Sequence, residues 1–507
     1  MNARSRDAWV LLATIAASSL AFIDGSVVTL ALPEIQRQFH ASASAVTWIV
    51  ELYTLVLGAL MLLGGALGDR YGRRRIFIAG TILFAIGSVA CAFSWTIASM
   101  LGARVVQGIG GMLLVPASLA IVGEHFTGTA RGRAFAAWSS FGALTSALGP
   151  MAGGILIDTL GWRSVFWINV PLAMLVLYAS LHAIQESRDD RAPKYLDIFG
   201  AALATGGLGA LTYALIASTQ TGWGDWRILA CVAIAVLLLA WFAFHESRAK
   251  AALVPPDIFS SRTFSSLNIA TLALYGALGG LFYEMPFAMI QAHGYSATQT
   301  AFATLPMIGG VAGLARFGSI LRAKIGLRTV LTIGPIIVAC GFALLALLER
   351  NAAYLVGFFP GILLIGLGMG IVVAPLTAGI MDAVSARHVG VASGINNAVS
   401  RVAGLLAIAS LTAVLAATYN ARLDANLQRI HATSVQRDAA IAQRDRLAGA
   451  RFNDAALQRI SNDSFNTGFA AIAGICALLS LAASIVCFIG IKDEELVSAK
   501  DAAGATG

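Results

Sequence analysis

Charge is scarce in this chain. Asp, Glu, Lys and Arg make up only 12% of its 507 residues, while 58% are hydrophobic; an ordinary soluble domain carries about 25% charged and roughly 45 to 50% apolar residues. A water-soluble protein with one conventional core is excluded, and no large soluble domain has room between the apolar runs. Cysteine is also sparse. The five (Cys91, Cys231, Cys340, Cys476, Cys487) lie inside apolar runs with no recurring spacing, which suggests neither a disulfide framework nor a zinc site and leaves them as packing residues. The sequence contains no GxxxxGK[ST] nucleotide-binding loop and no G-x-S-x-G elbow. Nor does it offer a metal-ligand cluster or an acid and base paired in a hydrated loop, so nothing supports an enzyme, a metal or an organic cofactor.

What is present is a series of long uncharged stretches. At about 20 apolar residues per crossing, they predict an all-α polytopic membrane protein with fourteen spans, near 8–32, 46–67, 76–93, 97–123, 134–157, 164–184, 198–218, 227–245, 264–290, 298–320, 329–348, 353–381, 390–417 and 465–490. With both ends on one side, that side carries 20 of the 34 Lys and Arg, whereas the short loops on the other carry only Arg37, Arg163, Arg227 and Arg350. The bias sets both termini in the cytoplasm. The formal charge of +8 therefore reports topology and calls for no nucleic-acid partner. The first span follows Arg4 and Arg6 but is long, contains Asp24 and lacks a small-residue cleavage pattern, so it reads as a retained helix. One long outer loop, 418–463, is rich in Arg, Asp, Ala and Gln, with leucines at Leu423, Leu427, Leu447 and Leu457. Solvated helical extensions are expected there, serving as a spacer or as a partner or gating surface.

The chain repeats itself. Gly108 to Ala134 (GIGGMLLVPASLAIVGEHFTGTARGRA) matches Gly366 to Ala392 (GLGMGIVVAPLTAGIMDAVSARHVGVA) at an offset of 258, and Gly65 to Arg74 (GALGDRYGRR) matches Ser319 to Arg328 (SILRAKIGLR) at 254. The second copy has lost the acid: Ala323 stands where Asp69 stands in the first, with Arg322 one position before it. Spans 1–6 thus correspond to spans 9–14, with two inserted between. The domains are expected as an N-terminal six-helix bundle at 1–190, two inserted helices at 191–250, and a C-terminal six-helix bundle at 251–507. Parallel halves of this kind place a substrate path near the midplane, opened alternately to either side.

Several segments resemble a known family. GALGDRYGRR, with Gly65, Asp69, Arg70, Gly72, Arg73 and Arg74, is similar to the signature loop of the major facilitator superfamily. RVVQGIG, with Arg104, Gln107, Gly108 and Gly110, resembles its second motif. The run with Gly142, Gly149, Pro150, Gly153 and Gly154 looks like the antiporter motif, FIDGSVVTLALP like the acidic first-helix motif of drug:proton antiporters, and WRSVFWINVP like their entry into helix 6. Over essentially the whole chain this resembles the fourteen-helix drug:proton antiporters of EmrB/QacA type. The resemblance implies a major facilitator fold in a 6+2+6 arrangement. It also implies export of amphipathic, often cationic compounds against protons across the cytoplasmic (inner) membrane.

The motifs carry physical sense of their own. Asp69 beside Arg70, Arg73, Arg74 and Arg75 on a two-glycine turn can form a charge-assisted latch; enforcing topology is the plainer alternative. Gly142, Ser146, Gly149 and Gly153 line one helix face that another helix can approach closely, either at a rocking interface or as generic tight packing. Pro150 removes a backbone donor and can bend that helix.

Ionisable groups inside a bilayer are functional candidates by default. At 1.5 Å rise per residue, Asp24, Arg104, Glu51 and Glu284 lie roughly 12, 10, 8 and 9 Å from the outer ends of their helices. Asp24 with Arg104 is the candidate proton-coupling pair, or else a permanent structural ion pair. Glu51, with Tyr53, is either a substrate contact or an interfacial side chain that snorkels. Glu284 has Tyr275, Phe282, Tyr283, Met285 and Pro286 as sequence neighbours and could serve an aromatic pocket for an organic cation; the resemblance does not assign it. The expected function is proton-coupled efflux of hydrophobic or cationic drugs, antiseptics and dyes. The alternatives are an exporter dedicated to one metabolite, antibiotic or lipid, and a membrane enzyme or sensor. The sequence names no periplasmic adaptor.

Overall fold

A computed structural model describes residues 3–188, 197–248, 256–347, 353–385 and 389–492. The expected domain boundaries at 190/191 and 250/251, the repeat turn at 386–388, Arg350 and the C-terminal tail lie outside the described residues. Among those residues there is no strand, and thirteen helices are long and apolar enough to cross a membrane. In chain order the helices are α1 (Ala3–Phe39), α2 (Ala43–Tyr71), α3 (Arg73–Ala92), α4 (Ile97–His125), α5 (Gly128–Leu160), α6 (Ser164–Ala183), α7 (Ile198–Thr221) and α8 (Trp226–Glu246). They continue as α9 (Arg262–Pro286), α10 (Ala297–Ile325), α11 (Leu327–Ala346), α12 (Phe358–Asp382), α13 (Val389–Arg429), α14 (Ser434–Gln443) and α15 (Ala455–Gly490). The thirteen omit α5, where the apolar helix counted is the shorter Leu148–Leu160, and α14.

The chain folds as two compact units. The first comprises Met1–Tyr213, Leu229–Leu253 and Ser296–Phe302; the second comprises Ala214–Ile228, Val254–Tyr295 and Ala303–Gly507. Local signals set the helix ends. Ser42 accepts from the Ala45 amide to start α2, and Thr96 and Ser99 form a reciprocal capping box at α4. Gly72 (φ 110°) breaks α2 from α3, and Gly326 (φ 84°) breaks α10 from α11, a backbone region that favours glycine.

Packing repeats between the units. In the first, α4 packs on α2 and α3; in the second, α12 packs on α10 and α11. Without water to drive helices together, close backbone approach through small residues does so. A Cβ on Gly110 would stand 2.8 Å from the Gly80 carbonyl oxygen, and one on Gly368 would stand 2.9 Å from that of Gly334. Gly80 and Gly334 are 254 residues apart, and Gly110 and Gly368 are 258 apart, the same two offsets as the sequence repeat.

Around 418–463, α13 and α15 run on past their apolar stretches and α14 lies between them. Leu423, Leu427, Leu447 and Leu457 are all buried there. Tyr419 and Ser461 hydroxyls are 2.9 Å apart, Asp424 pairs with Arg444, and Gln436 donates to Asp454 at 2.7 Å. This segment is a folded lobe with its own small core.

Candidate functional site

The most heavily bonded buried charges lie in the first unit. Asp24 on α1 and Arg104 on α4 are each 1% exposed, and Arg104 Nη1 meets Asp24 Oδ2 at 2.6 Å. The close approach of α4 to α2 and α3 leaves the guanidinium in a dry seam where every donor needs a partner. Its Nε donates to the Ile49 carbonyl at 2.9 Å, its Nη1 also donates to Gln107 Oε1 at 2.6 Å, and its Cζ lies 4.2 Å from the Tyr53 ring centroid. Tyr53, expected among substrate contacts, is thus a floor under Arg104, with cation–π geometry.

Gln107 was legible only as part of a motif. One turn along α4 from Arg104, it donates from Nε2 to Asp24 Oδ1 at 2.7 Å and to Ser88 Oγ at 2.9 Å, while Asn169 Nδ2 reaches the same Ser88 oxygen at 3.2 Å. The chain Asn169, Ser88, Gln107, Asp24, Arg104 therefore links α6, α3, α4 and α1. Both Asp24 oxygens hold a donor. If the carboxylate gains a proton, it no longer holds Arg104 by charge, and the guanidinium is free to turn toward its remaining partners.

The glycine face of α5 lies against α1 at this level. A Cβ on Gly142 would come 3.1 Å from the Phe22 ring and one on Gly149 3.1 Å from Ser26 Oγ, and one on Gly153 would overlap the Val27 side chain. The four α1 residues touched or overlapped by these glycines, Phe22, Ile23, Ser26 and Val27, bracket Asp24. Pro150 sits inside the α5 helix, and Gly154 lies next to Gly153 on the same turn.

At the α2–α3 turn, Arg73 Nε donates to Asp69 Oδ1 at 2.9 Å and Arg73 Nη1 reaches Glu124 Oε2 at 3.1 Å. Glu186, which the sequence did not single out, accepts the Arg74 and Arg75 amides at 3.1 and 3.2 Å. Its carboxylate thereby caps the positive end of α3. A side chain on Gly72 would collide with that carboxylate at 2.6 Å. Arg74 also donates to the Leu181 carbonyl at 3.0 Å, whereas Arg70 lies over its neighbour Tyr71. Gly65 adjoins Pro116, with 3.5 Å from its virtual Cβ. In the second unit, Arg322, one position before the Asp69 equivalent Ala323, pairs with Asp382 of α12.

Two candidates stand apart from the Asp24 network. Glu51 is 0% exposed, which removes the snorkelling alternative: the side chain does not reach water. Glu284 on α9 is 3% exposed and accepts from Thr412 Oγ1 of α13 at 2.6 Å. It continues the stripe of Gly276 and Gly280 that lets α9 lie close to α13. Tyr275 and Phe282 are two turns apart and lie about 160 to 180° around the helix from Glu284, so those two aromatics do not surround it. Just beyond Glu284, α9 passes through Pro286 into a π-helix, Phe287–Ala292, a backbone form often found at functional positions.

The Major Facilitator Superfamily description matches residues 14–196 and again 197–408. The chain is 33% identical over 414 residues to the tetracenomycin C resistance and export protein of Streptomyces glaucescens, covering 82% of this chain and 77% of that one. It is 32% identical over 429 residues to the multidrug resistance protein Stp of Mycobacterium tuberculosis, covering 84% and 79%. The crystal structure of a bacterial homolog of the human lysosomal transporter Spinster shares the fold, with a TM-score of 0.68 at 16% identity over 96% of this chain and 98% of that one. Relatives that are resistance and export proteins are consistent with the drug:proton antiporter subfamily. A family match over most of the chain, on a scaffold of apolar helices with paired glycine seams, leaves one assignment: this is a multi-pass membrane transport protein, not an enzyme, and it belongs to the Major Facilitator Superfamily.

Proposed function

We propose that the protein is a proton-coupled efflux antiporter in the cytoplasmic membrane, exporting hydrophobic and cationic amphipathic compounds by alternating access. In this reading fourteen helices cross in a 6+2+6 order with both termini cytoplasmic. The observation that carries it is the buried Asp24–Arg104 pair, held by Gln107, on a helix whose neighbouring residues Phe22, Ile23, Ser26 and Val27 lie against the glycine face of α5. Protonation of Asp24 releases Arg104. A cationic substrate and a proton then compete for one negative charge, and that competition yields exchange without a separate coupling device. Asp69, Arg73 and Glu124 form the cytoplasmic latch, with Gly65, Arg70, Gly72 and Arg74 building its turn. The antiporter glycines Gly142, Gly149, Gly153 and Gly154 with Pro150 let α1 and α5 move as a pair. Glu284 is a candidate substrate contact in the second unit, and Phe282 and Tyr275 are candidates on the opposite face of the same helix. Relatives whose names specify one antibiotic, a tetracenomycin C resistance and export protein and a puromycin resistance protein, favour a second reading: a dedicated exporter of one compound.

The test is substrate-induced proton release in inverted vesicles or proteoliposomes with wild type and Asp24→Asn. Ethidium addition under an imposed pH gradient is expected to collapse the gradient with wild type only. Wild type that moves no protons with any lipophilic cation, but does so with a single antibiotic, would establish the dedicated exporter instead.

A further inference from the structure

Glu51 does not belong to the Asp24 network. The α4 side of α2 is marked by Ile49, whose carbonyl takes Arg104 Nε, and by Tyr53 beneath the guanidinium. Glu51 lies two residues from Tyr53, about 160° around the helix. Its stripe mates are Trp48 and Leu55, three residues before and four after, and these meet α7, the first of the two helices inserted between the repeats. The Trp48 and Tyr213 ring centroids are 6.3 Å apart, and Leu55 Cδ2 is 3.3 Å from where a Cβ on Gly209 would stand. The two contacts run antiparallel and bring Thr212 to the level of Glu51. Thr212 and Glu51 are both 0% exposed. Among the described residues neither Glu51 carboxyl oxygen, nor Thr212 Oγ1, has a hydrogen-bond partner.

Three unpartnered oxygens on facing helices, all dry, call for a positive occupant, because a bare buried carboxylate costs far more than its neutral form. One carboxyl and one hydroxyl are too few for Ca2+ or Mg2+, which need about six oxygens or more. A site with no exposed surface excludes an organic cation. A proton satisfies it: the protonated carboxyl carries no charge, and Thr212 Oγ1, at its level on α7, is the acceptor for it once the two side chains turn together; no bond joins them in this structure. The geometry points to Glu51 and Thr212 as a second proton site, on the opposite side of α2 from Asp24, opened and closed by the inserted helix α7.

When α7 separates from α2, water enters, the carboxyl O–H bond breaks, and the proton passes to that water and leaves a hydrated carboxylate. Reclosure requires a proton to return. Few other charges act on the site. The α7 sequence holds no Asp, Glu, Lys, Arg or His between Ile198 and Thr221, so Tyr213 is its one titratable side chain there. Asp24 of α1 and Arg104 of α4 act on the other face of α2, and the α3 arginines, Arg73 to Arg75, stand at the far end of that helix. The site rests on the proton-coupled reading for its role in transport, though not for its chemistry. It gives the inserted pair a task that a twelve-helix scaffold would lack.

The experiment is infrared spectroscopy of the full-length protein in lipid across a pH series, on wild type, Glu51→Gln, Thr212→Val and Thr212→Ser, with ethidium-driven proton release measured on the same samples. A protonated-carboxyl band is expected in wild type and lost in Glu51→Gln. It should move in frequency in Thr212→Val and return to place in Thr212→Ser, and Glu51→Gln should release fewer protons per ethidium than wild type. A Glu51→Gln spectrum and proton yield identical to wild type would overturn the site, and a Thr212→Val band identical to wild type would remove Thr212 and α7 control from it. Should Glu51→Gln fail to fold, the two Thr212 variants still decide. If wild type releases no protons with any substrate, the antiport reading falls separately, and the band then assigns a fixed structural proton, which also overturns the coupling role.

Discussion

Neutralising one member of the Asp24–Arg104 pair should cost more than neutralising both. The pair is 0–1% exposed at the side-chain level, so solvent screening does not weaken it. Asp24→Asn keeps the shape and leaves Arg104 with Ile49, Gln107 and the Tyr53 ring, but it strands a guanidinium that cannot lose its charge. Breaking a buried pair in this way typically costs about 3–5 kcal/mol. Arg104→Met strands Asp24, which has two ways out: Gln107 still donates to it at 2.7 Å, and a carboxylate can neutralise itself by taking a proton. Its cost should be the smaller of the two. In Asp24→Asn/Arg104→Met the charges are gone, and what remains is about 1–3 kcal/mol for the acceptors left without Arg104.

The double variant should therefore be more stable than Asp24→Asn alone. Reversible unfolding in mixed micelles, followed by tryptophan fluorescence and extrapolated to zero denaturant, measures all four corners of the cycle. The coupling energy is expected to be several kcal/mol, against the roughly 0.3–0.5 kcal/mol scatter found for independent sites. Additive costs within that scatter would show that water reaches the pair and that its burial does not set its energy. The mechanism built on releasing Arg104 would then lose its physical basis.

Two further outcomes follow from particular contacts. Gly153→Ala places a Cβ into Val27, a β-branched side chain with little rotamer freedom, and should destabilise by about 1–3 kcal/mol while lowering export. Gly149→Ala, with 3.1 Å to Ser26 Oγ and 3.5 Å to the Ile23 Cα, should be milder on thermal unfolding, and the reverse order would contradict the α1–α5 seam. In the outer lobe, the Gln436 amide and the Ala456 and Leu457 amides hold the Asp454 carboxyl below its ordinary value of 3.8. A depressed value in the fold means the contribution is present above the ordinary value and is lost as pH falls through the folded one. Hydrogen-exchange protection at the start of α15, taken relative to the intrinsic rate at each pH, should fall on acidification below about pH 4, and should lose that acid step in Asp454→Asn.

Position along a helix was legible in the sequence; position around it was not. The depth of Asp24 and Arg104 follows from counting residues inward from the polar ends, and the two do meet. The same count put Glu51 in their layer, yet it points to the other side of α2. The azimuth is set by which neighbour α2 presses against, and that is decided by Gly108 and Gly111 of α4, which lie against Val56 and Leu57. In a soluble helix an apolar stripe would reveal the buried face. Here lipid-facing and core-facing residues are both apolar, so the stripe is faint. For the same reason Ser88 and Glu186 carry no signal in the sequence, and Asn169 carries one only as part of WRSVFWINVP: each is a single polar residue whose meaning depends on a partner 19 to 112 positions away. The leucines of 418–463 showed a pattern, but only the continuation of α13 and α15 beyond the apolar spans turned it into a core.

The two units reuse one packing plan and differ in what they bury. The Gly80–Gly110 and Gly334–Gly368 crossings fix the same backbone separations, so a polar side chain can change on one copy without moving the scaffold. In the first unit the α5 glycines seat α1, and the Asp24 on α1 turns to an arginine of α4. In the second the glycines lie instead on α9, and Glu284 on that same stripe turns to a hydroxyl of α13. An arginine holds a carboxylate by charge, while a threonine holds either form by one hydrogen bond. Asp24 therefore gives up its ion pair on protonation, whereas Glu284 can keep its contact in both forms. Of these two arrangements, the first is the one in which a proton would produce a large change in local electrostatics, which supports the proposal that Asp24 carries the coupling step and Glu284 the more permissive role of meeting a substrate.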